Sequence, residues 1–124
     1  MTVYYQYEEK DVWESGSLTS RIFLAQCEAV SKLVGVPCGL DENSDEVDVD
    51  PGKLEAFCFA LLQQSERCNS KHVPALLHPC LVTCLYLLGR LNVLGWKATT
   101  VNVEEIERAT EIVEGWRDNA ALLP

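Results

Sequence analysis

Histidine occurs only twice in this sequence, at His72 and His78, and nothing marks either one as the base for a particular cysteine. A thiol nucleophile needs such a neighbour to take its proton, so covalent catalysis has no visible pair to run on. No glycine-rich phosphate loop, HExxH, GxSxG or CxxC occurs. Their absence removes the usual signatures of phosphoryl transfer, zinc proteolysis, serine hydrolysis and dithiol exchange. The sequence assigns no catalytic residue, no cofactor and no enzymatic activity.

Basic residues are also scarce. Ten lysines and arginines stand against nineteen acidic residues, for a net charge of −9 and a pI near 4.6. Phosphate backbones and anionic lipids are held by clustered cations, and none cluster here, so direct nucleic-acid or membrane binding is disfavoured. A basic protein partner suits the charge, although acidity also serves simple solubility. The longest apolar stretch, between His78 and Arg90, is shorter than the roughly 20 residues of a membrane span. The N-terminal residues lack the basic and apolar regions of a signal peptide. The expectation is a cytoplasmic protein whose six cysteines are reduced thiols packed as small apolar residues.

What is present is enough for a core. A chain of 124 residues, 48% apolar, buries roughly two-thirds of its unfolded surface without disulfides or metal. We expect a single domain, 1–124, with a core at 1–95 and a C-terminal helical extension at 96–124. The β-prone Val3–Tyr7 and Val12–Trp13 predict a short hairpin. Ser15-Gly16-Ser17 then opens a helix from about Leu18 to Val34. This helix carries two apolar stripes: Leu18, Ile22, Ala25, Ala29 and Leu33, and beside them Phe23, Cys27, Val30 and Val34. Gln26 falls between the stripes and is expected to be buried.

Gly35 to Gly39 end that helix, and an acidic loop follows from Asp41 to Asp50. Asp50-Pro51 starts a second helix, with Asp as cap and Pro in the first turn, and Phe59 pointing away from its apolar face. Ala75–Leu94 is apolar nearly all round and reads as the buried central helix, kinked or restarted at Pro79. Trp96–Val101 is β-prone and is expected to pair with the hairpin. Asn102 and Glu105 form a capping-box pattern ahead of a last helix with Val103, Ile106, Ala109, Val113, Trp116 and Ala120 on one face. The fold class expected is mainly α: about four helices around a buried central helix, with a short N-terminal β hairpin.

Three groups invite a functional reading. Asp41, Asn43 and Asp45 match the first ligands of an EF-hand, but Glu46 stands where the turn needs Gly and Gly52 where the loop needs Glu; a solvated acidic loop is expected instead. Cys80 and Cys84 lie one helical turn apart and would suit a metal, yet no second ligand pair exists. Core packing is expected there, with no metal. Tyr4, Tyr5, Tyr7 and Trp13 suit either hairpin packing or a recognition surface. The candidate partner-binding set is Asp41, Glu42, Asp45, Glu46 and Asp48, with Tyr5 and Trp13.

The chain also resembles a family of short actinomycete proteins known only as a domain of unknown function. The resemblance rests on Tyr4-Tyr5-Gln6, Val12-Trp13, the run RIFLAQCEA from Arg21 to Ala29, and GVPCG from Gly35 to Gly39. It continues through Val47-Asp48-Val49-Asp50, Phe57 and His78-Pro79. Cys38 stands where threonine is expected in relatives, and the segment after Gly95 looks like an extension. The resemblance implies no activity, ligand or catalytic residue. The functional expectation is a non-enzymatic cytoplasmic protein-binding module, such as an immunity protein or antitoxin masking a basic partner. The alternative is a small-ligand sensor or carrier with an apolar pocket between helices.

Overall fold

Alternation of polar and apolar residues builds far more of this molecule than the expected hairpin. The computed structural model describes residues 2–122, with side chains described through residue 116. Strands β1 (Thr2–Tyr7) and β2 (Lys10–Gly16) pair antiparallel, Tyr4 opposite Glu14 and Tyr5 opposite Trp13. Their turn places Glu8 and Glu9 at φ 49° and 66°, the doubly left-handed geometry whose twist matches a two-residue hairpin. A bulge beyond Tyr5 leaves Val12 unpaired, and Arg90 Nε donates to its carbonyl at 3.1 Å.

The segment expected to be an acidic loop is a second hairpin, β3 (Leu40–Asn43) and β4 (Glu46–Val49). β4 runs parallel to β1, giving one mixed sheet in the order β2-β1-β4-β3. The fold is therefore α+β, with four helices and a four-stranded mixed sheet, and not a helical bundle with one short hairpin. The reason is a period of two. Val47 and Val49 turn inward and are buried, while Glu46 and Asp48 between them stay exposed. The carboxylates that suggest a loop are the outer half of a strand.

Four helices complete the fold, α1 (Ser17–Val34), α2 (Pro51–Arg67), α3 (His72–Val93) and α4 (Val103–Leu122), with α1 and α3 packed on the sheet and α2 and α4 packed on α3. Phe23, Cys27 and Val30 of α1 are buried, and Phe23 packs against both Tyr5 and Trp13. The stripe of Leu18, Ile22, Ala25, Ala29 and Leu33 is not covered: Leu18, Ile22 and Leu33 are 67%, 54% and 82% exposed, Ala25 and Ala29 are exposed with them, and so is Gln26, against the expectation of burial. One layer of neighbours covers one face of a helix, and this stripe is left to solvent. α1 ends at Gly35, whose φ of 72° and N–H to the Ser31 carbonyl make a left-handed cap.

Asp50 caps α2 by accepting the Lys53 N–H at 3.2 Å, with Pro51 in the first turn and Phe59 exposed. α3 runs unbroken through Pro79, whose neighbours His78 and Ala75 are exposed, so water can serve the carbonyl that Pro79 leaves without a donor. At 22 residues it is long and apolar enough to cross a bilayer by length and composition. Here it packs between α2 and α4 and buries eight side chains from Cys80 to Leu91. Asn102 caps α4 by accepting the Glu104 N–H, and Ile106 and Ala109 are buried against α3, where Gly89 allows close approach. Ala120 lies outside the residues whose side chains are described.

Trp96–Val101 forms no strand. Its backbone is instead held by Glu55, a buried α2 carboxylate. Glu55 Oε2 accepts N–H groups from Thr99, Thr100 and Val101 at 2.8, 2.8 and 3.0 Å. Burial pushes its pKa up, but the three backbone donors outweigh that and hold it below the usual carboxylate range.

Candidate functional site

Register places a row of carboxylates on the outer face of the sheet. Glu14, Tyr4 and Glu46 stand side by side across β2, β1 and β4; Asp11, Gln6, Asp48 and Asp41 form the next row across all four strands. Side-chain contacts confirm the shared face. Gln6 Nε2 donates to Asp11 Oδ1 at 3.1 Å, and Asn43 Nδ2 donates to Asp48 Oδ2 at 3.3 Å. Asp11, Glu14, Asp41, Glu46 and Asp48 are all exposed, and no lysine or arginine occupies a position on this face among the described residues.

The charge is not neutralised within the fold. The two ion pairs among the described residues, Lys32–Glu28 and Arg108–Glu105, both lie on helices. Asp41 and Asp48 are direct cross-strand neighbours, a like-charge pairing that costs the free protein stability.

The seven residues singled out from the sequence are thus not all brought together. Asp41, Glu46 and Asp48 share the outer face; Asp45 is in the adjoining turn, and Glu42 is exposed on the edge strand opposite Val47. Tyr5 must be withdrawn from the set because its ring is completely buried. Its hydroxyl lies 3.0 Å from Ser20 Oγ, and burial pushes its pKa up to about 12, so it stays neutral. Tyr5→Phe is expected to lower stability by about 1 kcal/mol in urea unfolding; no change would mean the hydroxyl pair contributes nothing. Trp13 lies at the opposite edge of the sheet and faces inward, tilted against Tyr5 at 4.9 Å and edge-on to Tyr86 at 6.4 Å. Asp11 and Glu14 are the members that sequence reasoning missed, and Tyr4, one of the aromatics that suit a recognition surface, is outside the candidate set. The available signal was their alternation with Val3, Tyr5 and Trp13.

Beside this face, between α1, the Gly35–Gly39 loop, β3 and the start of α2, lies a groove of about 600 Å³. Glu28, Asp41, Glu42 and Asp50 line it, with Lys53 as its cation and Cys38 half-buried in its wall. Cys27 Sγ lies 3.6 Å from Cys80 Sγ and 3.8 Å from Cys84 Sγ. Sequence reasoning paired Cys80 with Cys84 but not with Cys27, because that neighbour comes from another helix 53 residues away. Hydrogen bonding to Cys38 and then Cys80 raises the Cys27 pKa, and bonding to Cys27 raises that of Cys84. Cys38, as the partner that receives the bond, is lowered.

The comparison with protein families adds the assignment. A family of unknown function, DUF6086, matches residues 1–123. The chain belongs to that family. The match runs through α4, the segment that looked like an extension. No curated protein and no solved structure matches the chain.

Proposed function

We propose that this chain is a non-enzymatic, cytoplasmic protein-binding module that captures a basic polypeptide on the acidic outer face of its sheet. The observation that carries this reading is the row of Asp11, Glu14, Asp41, Glu46 and Asp48, exposed together with no cation among them. Such a face raises the local concentration of a cationic partner and speeds encounter. The strained Asp41–Asp48 pairing adds to this, because a cation seated between them would relieve their repulsion. Tyr4, 37% exposed in the middle of the row, supplies an aromatic anchor of the kind that recognition surfaces favour.

An immunity protein or antitoxin that masks the nucleic-acid-binding site of a basic toxin is the most concrete form of this proposal. The exposed apolar stripe of α1 also fits a protein that docks others. A small-ligand carrier has less support. The apolar cleft of α2, α3 and α4, bounded by Leu62, Leu81 and Ile112, measures about 230 Å³, below the roughly 300–1,000 Å³ of ordinary ligand pockets.

The test is affinity capture from the native host, which we take to be an actinomycete, with two baits. One is the wild-type chain; the other carries Asp11→Asn, Glu14→Gln, Asp41→Asn, Glu46→Gln and Asp48→Asn, with circular dichroism verifying its fold. We expect a basic protein that wild type retains at low salt and releases as salt rises, and that the neutralised bait does not retain. Equal capture by both baits, or no salt-eluted basic protein on either, would contradict the proposal.

A further inference from the structure

A second group of residues, independent of the acidic face, points to a ligand of a different kind. Three of the six cysteines converge at one place from two helices: Cys27 on α1, and Cys80 and Cys84 on α3. The sulfurs of Cys27, Cys80 and Cys84 all lie within 4.8 Å of one another, and all three residues are buried. No disulfide joins them; all six are free thiols.

A cation bound to thiolates at about 2.3 Å places its ligand sulfurs about 4.0 Å apart in a trigonal shell and about 3.8 Å apart in a tetrahedral one. The spacings of 3.6 and 3.8 Å from Cys27 to its two partners are close to that arrangement, and the third pair lies within 4.8 Å. Two of the sulfurs sit one turn apart on a buried helix and the third on a helix packed beside it, so the trio is held ready. The donor set is sulfur alone, which selects soft cations over magnesium, calcium or manganese.

We propose that Cys27, Cys80 and Cys84 form a binding site for a thiophilic d10 cation. Copper(I), which accepts three thiolates, fits the trio as it stands. Zinc(II) would add a fourth ligand, for which the half-buried Cys38 in the groove wall is the candidate. The acidic groove supplies the route: Glu28, Asp41, Glu42 and Asp50 draw cations to its mouth, and Cys38 stands in its wall. Binding exchanges thiol protons for the cation and involves no change of oxidation state.

The test uses the full chain, reduced and anaerobic, titrated in separate arms with copper(I) and zinc(II), each delivered from a competing chelator. We expect a single cation per chain and, by X-ray absorption of the wild-type complex, a shell of sulfur only at about 2.3 Å. Three sulfurs with copper(I), or four with zinc(II) and loss of one in Cys38→Ala, both support the site. Cys27→Ala and Cys84→Ala should each weaken binding by roughly a hundredfold or more, whereas Cys68→Ala, outside the cluster, should bind as wild type. Nitrogen or oxygen in the shell, unchanged affinity in both alanine variants, or failure of both cations to leave their chelators would overturn the proposal. The shell measured on wild type decides the matter even if an alanine variant does not fold.

Discussion

Gly39→Ala is expected to lower folding stability by about 4 kcal/mol, combining left-handed backbone strain with overpacking. Gly39 sits at φ 76°, and a Cβ there would lie 2.8 Å from both the Asp50 carbonyl oxygen and the Leu54 nitrogen, and 2.9 Å from Lys53 Cβ. Two of those atoms belong to backbone in the first turn of α2, so they cannot swing aside as a side-chain tip would. The Gly39 carbonyl also accepts the Asp50 N–H at 2.8 Å, which fastens β3 to α2 and so positions the acidic edge. Gly35 provides the control. Its φ is 72° but nothing lies within 4 Å of a built Cβ, so Gly35→Ala should cost only about 1 kcal/mol of backbone strain. Equal losses for the two variants in urea unfolding would show that the contact with α2 is not what requires glycine.

Glu55→Ala is expected to cost about 3 kcal/mol at neutral pH, in the range of hydrogen bonds to a charged acceptor plus the donors left unpaired. The carboxylate is the partner of three successive N–H groups, from Thr99 to Val101, and its Oε1 accepts the Thr99 hydroxyl at 3.3 Å. Val101 is buried, so its N–H has no water to turn to. The pH dependence follows from the depressed folded-state pKa. The unfolded carboxyl titrates near ~4.3, so the contribution is fully present above that value and is lost as pH falls through the lower folded pKa. Wild type should therefore lose more stability than Glu55→Ala between about pH 5 and pH 2. Parallel acid profiles would mean that the carboxylate's charge is not what holds the Trp96–Val101 segment.

Local signals in the sequence were legible where one residue type has one physical use. Gly35 ending α1, Asp50-Pro51 opening α2, Asn102 capping α4 and the outward Phe59 all follow from short-range rules. Pairing over distance was not legible. β4 is four residues long with four carboxylates, Asp45, Glu46, Asp48 and Asp50, in and beside it, and its partner β1 lies more than thirty residues earlier, so the alternation of Val47 and Val49 was outweighed by charge. The β-prone Trp96–Val101 failed for the opposite reason: Glu55, over forty residues away, satisfies its N–H groups and no strand is needed. α1 shows a further limit, since apolar periodicity marks which faces could be buried and not how many neighbours exist to bury them.

The candidate site divides along the same line. Asp41, Glu46 and Asp48 were visible as an acidic run. That Asp11 and Glu14 extend it, that Tyr5 faces the core and that Trp13 lies across the sheet depend on register, which a sequence without its pairings does not contain. Cys27 joining Cys80 and Cys84 likewise requires two helices to be packed before the trio exists.

The central claim, that the outer sheet face captures a basic partner by its charge, is tested most directly by association rates measured across salt concentrations. The captured partner is mixed with wild type and with the variant neutralised at Asp11, Glu14, Asp41, Glu46 and Asp48. At low salt the variant should associate roughly tenfold or more slowly, and the two rates should converge at about 1 M salt, where the screening length falls to about 3 Å. Equal association rates at low salt, with the same salt dependence for both chains, would contradict it.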